Sequence, residues 1–362
     1  MMLADHGADV LRVERPDKVQ LKGAEVRESL ASFDVLSRSR QSAAIDIKTS
    51  EGRALLLRLS ERADVFIEGF RPGVAERLGI GPEVLCDRND RLVYGRMTGW
   101  GQHGPLAQRA GHDINYIAVA GIQAHIGRSG QPPSPPLNLV GDFGGGGMLL
   151  AFGICAALVE RSLSGRGQVL DAAMIDGASL LMAPLFGAHG SGFWSDERGT
   201  NLLDSGAPFY DCYECSDGGY MAVGAIEEAF FAQLLMGLGL PDDLAAAQHD
   251  QSQWPVLHQQ IAAAFAQHPR DFWAEKFADL DACAAPVLTM GEAPGHHHHR
   301  ARGSFVEVDG VTQPAPAPRF SRSDPGVPSA PQMAGANTSE VLQRWGISLG
   351  EIAELERVGA VA

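Results

Sequence analysis

His112 and Asp142 are the residues of this chain best suited to move protons. His112 lies in Gly111-His112-Asp113-Ile114-Asn115-Tyr116. Asp142 lies in Asn138-Leu139-Val140-Gly141-Asp142-Phe143, followed by Gly144 to Gly147 and an apolar run from Met148 to Val159. That run is too long for a typical strand and reads as a buried helix. Asp142 and the glycines then fall at a helix N-terminus, where free N–H groups and the positive dipole end favour an ionised carboxylate and a developing oxyanion. The N–H groups of Asp142, Gly144 and Gly145 are the candidate oxyanion donors, each worth about 3 kcal/mol. A histidine and a carboxylate beside such donors suggest proton transfer at carbon. The same residue types also serve as structural histidines, caps and turns, so residue types alone leave both readings open.

The surrounding pattern alternates strands with helices. Ala8 to Val13 and Ser42 to Ile47 read as strands, and Ser50 as the cap of a helix carrying Leu55, Leu56, Leu57 and Leu59. A strand at Asp64 to Phe70, a turn at Arg71-Pro72-Gly73, a short helix with Arg77 and a strand at Arg91 to Thr98 follow. This order predicts an α/β fold with a parallel, doubly wound sheet, whose ligands bind beyond the carboxyl ends of its strands. Arg71 and the segment after Met97 fall there.

The expected organisation is a large domain over residues 1–185, a linker at 186–206 and a smaller α+β domain at 207–294. A return linker at 295–331 is rich in proline, and helices at 332–362 rejoin the first domain. In the small domain, Pro208 to Val223 alternates like a strand pair. Glu227 to Leu238, Gln253 to Phe265 and Arg270 to Asp279 read as helices, and Cys283 to Leu288 as a strand.

Composition bounds the function. The net charge of −15 argues against nucleic acid as partner. The charge is uneven: residues 38–109 hold twelve Arg and Lys against nine Asp and Glu, a window of +3 in a chain whose remainder is −18. Such a window suits a phosphorylated ligand, or reflects solvated helix faces. Cys212-Tyr-Glu-Cys215 is a lone CxxC without the second pair a zinc site needs, and reads as strand packing. His296 to His299 reads as a loop with weak metal affinity at most. No apolar run approaches the ~20 residues of a membrane span and no signal peptide opens the chain, so the expected location is cytoplasmic. GxSxG and GxxxxGK[ST] are both missing, which removes serine-hydrolase and nucleotide-kinase readings.

Taken together, several segments resemble the alpha-methylacyl-CoA racemases within the family III CoA-transferase superfamily. They include Ala8 to Pro16, Arg40 to Lys48, Glu68 to Gly73, Thr98 to Gln102, Gly111 to Tyr116, Asn138 to Gly145, and Asp211 to Cys215 leading to Glu227. The resemblance implies a Rossmann-like large domain made from both chain ends, a small domain, two linkers and an interlocked homodimer. It also implies 2-methylacyl-CoA substrates, a role in fatty-acid metabolism, and no cofactor beyond the CoA of the substrate. It makes His112 and Asp142 the acid/base pair, Glu227 the residue that orients the histidine, and Asp113 and Asn138 supporting residues. Arg38, Arg40, Lys48, Arg71 and Arg77 would contact or surround CoA, and Tyr116 its pantetheine and acyl path.

Two bases on opposite faces of the α-carbon perform such a racemisation most simply, through an enolate. A family III transferase would instead use Asp142 as a nucleophile and have no use for His112. A non-catalytic acyl-CoA-binding protein is the third reading. Members of the family usually open with a strand and a Gly/Pro loop ahead of the segment matching Met2 to Asp9, so a misplaced start is expected here.

Overall fold

The computed structural model describes residues 1–20 and 34–362, which divide into two compact units. The first contains residues 1–109, 146–173 and 291–362. Its strands β1 (Leu11–Glu14) and β2 (Gln41–Ala44) are parallel, with Leu11 opposite Gln41. The next helix, Ser50–Ser60, is capped one residue earlier than its sequence suggested. Thr49 Oγ1 accepts the Gly52 N–H at 3.0 Å, while the Ser50 hydroxyl turns to Glu51. Leu55 and Leu59 from this helix share a core with Ala43, Leu342, Ile352 and Leu355.

The chain's end is stitched into that core. Ala362 N–H donates to the Ala44 carbonyl at 3.1 Å, and Asp46 N–H to the Ala360 carbonyl at 2.8 Å. Thr338 Oγ1 accepts the Ala44 N–H at 3.0 Å and lies 2.7 Å from the Ala362 carbonyl. The helices Thr338–Arg344 and Leu349–Arg357 thereby belong to the first unit.

Three further strands, β3 (Val65–Glu68), β4 (Val93–Thr98) and β5 (Val169–Ala173), form a second parallel ladder in that order. The described parallel strands thus lie in two ladders rather than one continuous sheet. The helix Leu149–Ser164 packs Leu150 and Ile154 against Val65, Met97 and Ala172. Its opposite side is open: Phe152 is 71% exposed and Leu163 87%. The expectation of a buried helix therefore holds for one face only.

That helix is also longer than the sequence suggested. A π-helix, Leu139–Met148, carries straight through the glycines into it, giving 26 helical residues long and apolar enough to cross a membrane. The core helices of soluble proteins pass the same test of length and composition. In the segment expected to be an extended linker, β9 (Phe305–Val308) and β10 (Val311–Pro314) pair antiparallel.

The second unit contains residues 110–145 and 174–290. The sequence placed 110–145 and 174–185 with the first domain. They go with the second: Ile117, Ala120 and Ile122 pack on Ala178 and Met182, while Arg128 bonds the Asp211 carboxylate and Arg198 bonds the Ala124 carbonyl. Two glycines make this approach possible, since a Cβ on Gly177 would stand 1.9 Å from the Gly145 carbonyl oxygen. The expected linker at 186–206 instead starts within a helix, Ala183–Gly190, and ends in a loop gathered by Asp204. That carboxylate accepts from the N–H groups of Gly199 and Asn201 at 2.9 and 2.8 Å.

The rest of the unit is an antiparallel sheet of β6 (Tyr210–Glu214), β7 (Tyr220–Gly224) and β8 (Ala284–Pro286), covered by the helices Glu228–Leu238, Trp254–Phe265 and Arg270–Lys276. Phe209, Tyr213, Phe231, Ile261, Phe265 and Trp273 fill its core. Cys212 is exposed and Cys215 buried, both as free thiols, in keeping with strand packing.

Asp211 is buried in this sheet, where it accepts from His258 Nε2 at 2.8 Å and Arg128 Nη1 at 2.5 Å. Burial pulls its pKa upward, but the His258 and Arg128 hydrogen bonds outweigh burial and hold it below the ordinary aspartate value. A lowered carboxylate pKa contributes stability above the unfolded value, ~3.9, that is lost as pH falls through the folded one. Asp211→Asn is therefore expected to cost about 1.5–3 kcal/mol at pH 7. The difference in Tm from wild type should shrink as pH is lowered below ~4, as calorimetry across pH would record.

Candidate functional site

His112 is the N-terminal cap of the helix Asp113–Val119, so its position is set by the helix rather than by a loose loop. Asn115 Oδ1 accepts the His112 N–H at 3.0 Å, and the Tyr116 hydroxyl donates to the Gly111 carbonyl at 2.6 Å. Both bonds fold the turn back on its own helix and leave the His112 side chain exposed. Tyr116 is largely buried; burial first, and the charge of Asp142 second, raise its pKa. Tyr116 thus lies within the field of Asp142 and spends one bond of its hydroxyl on the backbone.

Asp113 connects the two proton-transfer candidates. It is 4% exposed, and its Oδ1 accepts the N–H groups of Gly141 at 2.6 Å and Asp142 at 2.8 Å. The first turn of any helix leaves N–H groups without intrahelical acceptors. Here a carboxylate from the residue following His112 takes two of them, tying the start of the Asp142 helix to the start of the His112 helix. Gly141 is required for this approach, because a Cβ there would stand 2.6 Å from the same oxygen. Asn138 completes the arrangement by donating from Nδ2 to Asp142 Oδ2 at 3.1 Å.

This geometry corrects the oxyanion assignment. The Asp142 N–H is committed to Asp113. Gly144 and Gly145 sit within the π-helix, where an N–H turns toward the carbonyl five residues back. The glycine run serves close packing and helix continuity instead of donating to a ligand.

Glu227 is not tied to His112 by a hydrogen bond among the described residues of the chain. It caps the helix Glu228–Leu238 and is exposed. Its charge falls on the Cys283 thiol, whose pKa is raised first by burial and then by Glu227. The structure links His112, Asp113, Tyr116, Asn138 and Asp142 through adjacent backbone and the bonds above, and shows no hydrogen bond from Glu227 to any of them among the described residues.

The five basic residues divide. Arg38 is not a ligand contact. It is 1% exposed, and its guanidinium meets Asp5 (Nη2–Oδ2 2.8 Å, Nε–Oδ1 3.1 Å), Gln313 Oε1 at 2.8 Å and the Pro314 carbonyl at 2.7 Å. The donors that would bind phosphate are used inside the first unit. Arg40 bonds the Leu36 carbonyl and Ser37 Oγ, and lines a polar cavity of about 340 Å³ with Asp9, Glu340 and Arg344. This cavity lies at the amino ends of β1 and β2, whereas ligands of parallel sheets collect at the carboxyl ends.

Arg71 does follow a carboxyl end, that of β3, and it is exposed, as are Arg77 and Lys48. The acidic residues closest to Arg71 and Arg77 in sequence, Glu68 and Glu76, are both engaged by Arg96, at 2.9 and 2.8 Å. Arg71 and Arg77 are thereby available to a phosphorylated ligand. The Glu68–Arg96–Glu76 group was not singled out from sequence, since nothing in residue spacing marks a cross-strand pair.

The chain matches CoA-transferase family III over residues 1–338, and belongs to that family. It is 45% identical to the alpha-methylacyl-CoA racemase of Mus musculus over 359 residues, covering 98% of this chain and 91% of the mouse protein. It is 42% identical to the alpha-methylacyl-CoA racemase of Homo sapiens, with the same coverage of each. Its fold matches a crystal structure of a CaiB/BaiF family protein from Brucella suis with a TM-score of 0.79 and 26% identity, over 95% of this chain and 93% of that one.

Proposed function

We propose that this protein racemises 2-methylacyl-CoA thioesters by moving the α-proton between two bases, His112 and Asp142. The observation that carries the reading is the Asp113 carboxylate. By accepting the N–H groups of Gly141 and Asp142 it sets the Asp142 helix and the His112 helix on one buried framework. Two proton-transfer groups held by a shared rigid support suit a reaction in which one removes a proton and the other returns one. Asn138 orients the Asp142 carboxylate for that step. The 45% and 42% identity to the mouse and human racemases over nearly the whole chain supports the same substrate class.

In the reaction, the base facing the α-hydrogen takes that proton, the C–H electron pair moves into the enolate, and the opposite group returns a proton to the other face. The thioester carbonyl acidifies the α-carbon, so the chemistry calls for no metal or redox group. Arg71 and Arg77 are the proposed phosphate contacts, with Lys48 as a further one, because guanidinium forks match phosphate oxygens. Five free thiols suit a reducing compartment such as the cytoplasm.

The working form in this proposal is an interlocked homodimer. The open apolar face of the helix Leu149–Ser164 supports self-association. That Glu227 is exposed and makes no hydrogen bond to His112 among the described residues of one chain supports a site to which the second subunit contributes Glu227. Co-expression of His112→Ala and Glu227→Ala chains tests this. If Glu227 serves the partner's site, mixed dimers contain one intact site and regain activity. If each chain serves itself, no site is intact and none returns.

The reaction itself is tested by incubating a chiral 2-methylacyl-CoA in heavy water. Deuterium at the α-carbon with loss of optical purity is the expected result. Transfer of CoA to an added carboxylic acid without α-exchange would replace the racemase reading with the transferase one.

A further inference from the structure

Leu137 occupies a position where neither backbone nor packing favours a leucine. Its φ is +59°, in the left-handed region that is costly for a branched side chain. The same loop supplies glycine at its other left-handed positions, Gly127 and Gly130. Of the five non-glycine residues with positive φ among the described residues, only Leu137 is large and apolar. The side chain fills no core either, being 74% exposed. A leucine that strains its backbone and packs on little within the chain contributes through something outside it.

The neighbourhood indicates what that is. Leu137 directly precedes Asn138, the residue that donates to Asp142 Oδ2. Ile114, next to Asp113, and Leu139 and Phe143, beside Asn138 and Asp142, are exposed as well. Strain held at a residue adjoining a reacting group is a recurrent feature of active sites. A self-association face needs apolar area alone, which an unstrained backbone delivers. The polar CoA portion of a substrate gains little from leucine. The alkyl chain beyond the α-carbon is apolar and must lie near the bases that act on that carbon.

Resting on the two-base reading above, we infer that Leu137 is a specificity-determining residue that forms an apolar wall for the alkyl chain of the 2-methylacyl group. It selects longer chains over shorter ones. Glycine at this position would relax the backbone while removing the wall, so stability and specificity should move in opposite directions.

The test compares wild type, Leu137→Gly and Leu137→Met on 2-methylbutanoyl-CoA and 2-methyldecanoyl-CoA, recording kcat/KM for α-exchange, Tm and assembly mass. Leu137→Gly should keep or raise Tm and keep the mass. Its kcat/KM on the ten-carbon chain should fall by about tenfold relative to the four-carbon chain. Leu137→Met should restore the wild-type preference. An unchanged long-to-short ratio in Leu137→Gly, or a change of assembly mass that assigns Leu137 to a subunit contact, overturns the inference. Wild type that exchanges the α-proton of neither substrate removes the racemase reading, and this inference with it. Exchange by wild type with an unaltered ratio in the variant removes the inference alone.

Discussion

Asp142→Asn and His112→Gln are each expected to lower racemisation of a 2-methylacyl-CoA by about 10²- to 10⁴-fold, the usual loss for removing a positioned acid or base. The two variants should also differ in a way overall rate does not reveal. With one base left, the enantiomer whose α-hydrogen faces that base can still lose its proton and regain a solvent deuteron on the same face. Each variant should therefore exchange one enantiomer with retention of configuration, and the two variants should select opposite enantiomers. Incubating each pure enantiomer in heavy water, with chiral separation and mass analysis of the product, would show this directly. Loss of exchange on both enantiomers in only one variant would mean that a single group does the proton transfer. Dependence on Asp142 alone, with His112→Gln unaffected, would favour nucleophilic attack by Asp142 on the thioester.

The two proposed bases were readable because their chemistry is carried by residue type and near neighbours. A histidine in a Gly-His-Asp block and an aspartate beside a glycine run are local patterns, whereas the helix that His112 caps was not read from the sequence. What supports them was not readable in the same way. Asp113 reaches across 28 and 29 positions to two backbone N–H groups, and a carboxylate's acceptor role toward remote backbone leaves no trace in spacing. The glycine run suggested free donors, whereas Gly145 serves a backbone contact with the Gly177 segment. Hydropathy identified the helix after Met148 but not which face would be covered, because a sequence records apolarity without recording a partner. Leu137 illustrates the same limit, since no residue pattern announces a left-handed leucine.

Arg38 is the sharpest case, and its replacement should have a large effect of a different kind. Arg38→Leu would leave the Asp5 carboxylate, whose side chain is 3% exposed, without its cation, and would strip Gln313 and the Pro314 carbonyl of their donor. Removing one partner of a buried pair costs about 3–5 kcal/mol. For a unit of this size each kcal/mol lowers Tm by roughly 2–4 °C, so thermal unfolding should register the change clearly. Replacing both partners, Asp5→Leu with Arg38→Leu, should recover part of the loss, because the remaining charge is what makes the single variant costly. The affinity of the folded fraction for CoA should stay near wild type. Arg71→Leu is expected to behave in the opposite sense: being exposed, it should change stability by less than about 0.5 kcal/mol. Loss of a charged hydrogen-bond donor to phosphate should raise KM by about tenfold, an effect that diminishes at high salt. If Arg38→Leu instead raised KM with Tm unchanged, the buried bonds to Asp5 would not be what holds this arginine, and the basic window read from the sequence would regain a member that the fold has taken for itself.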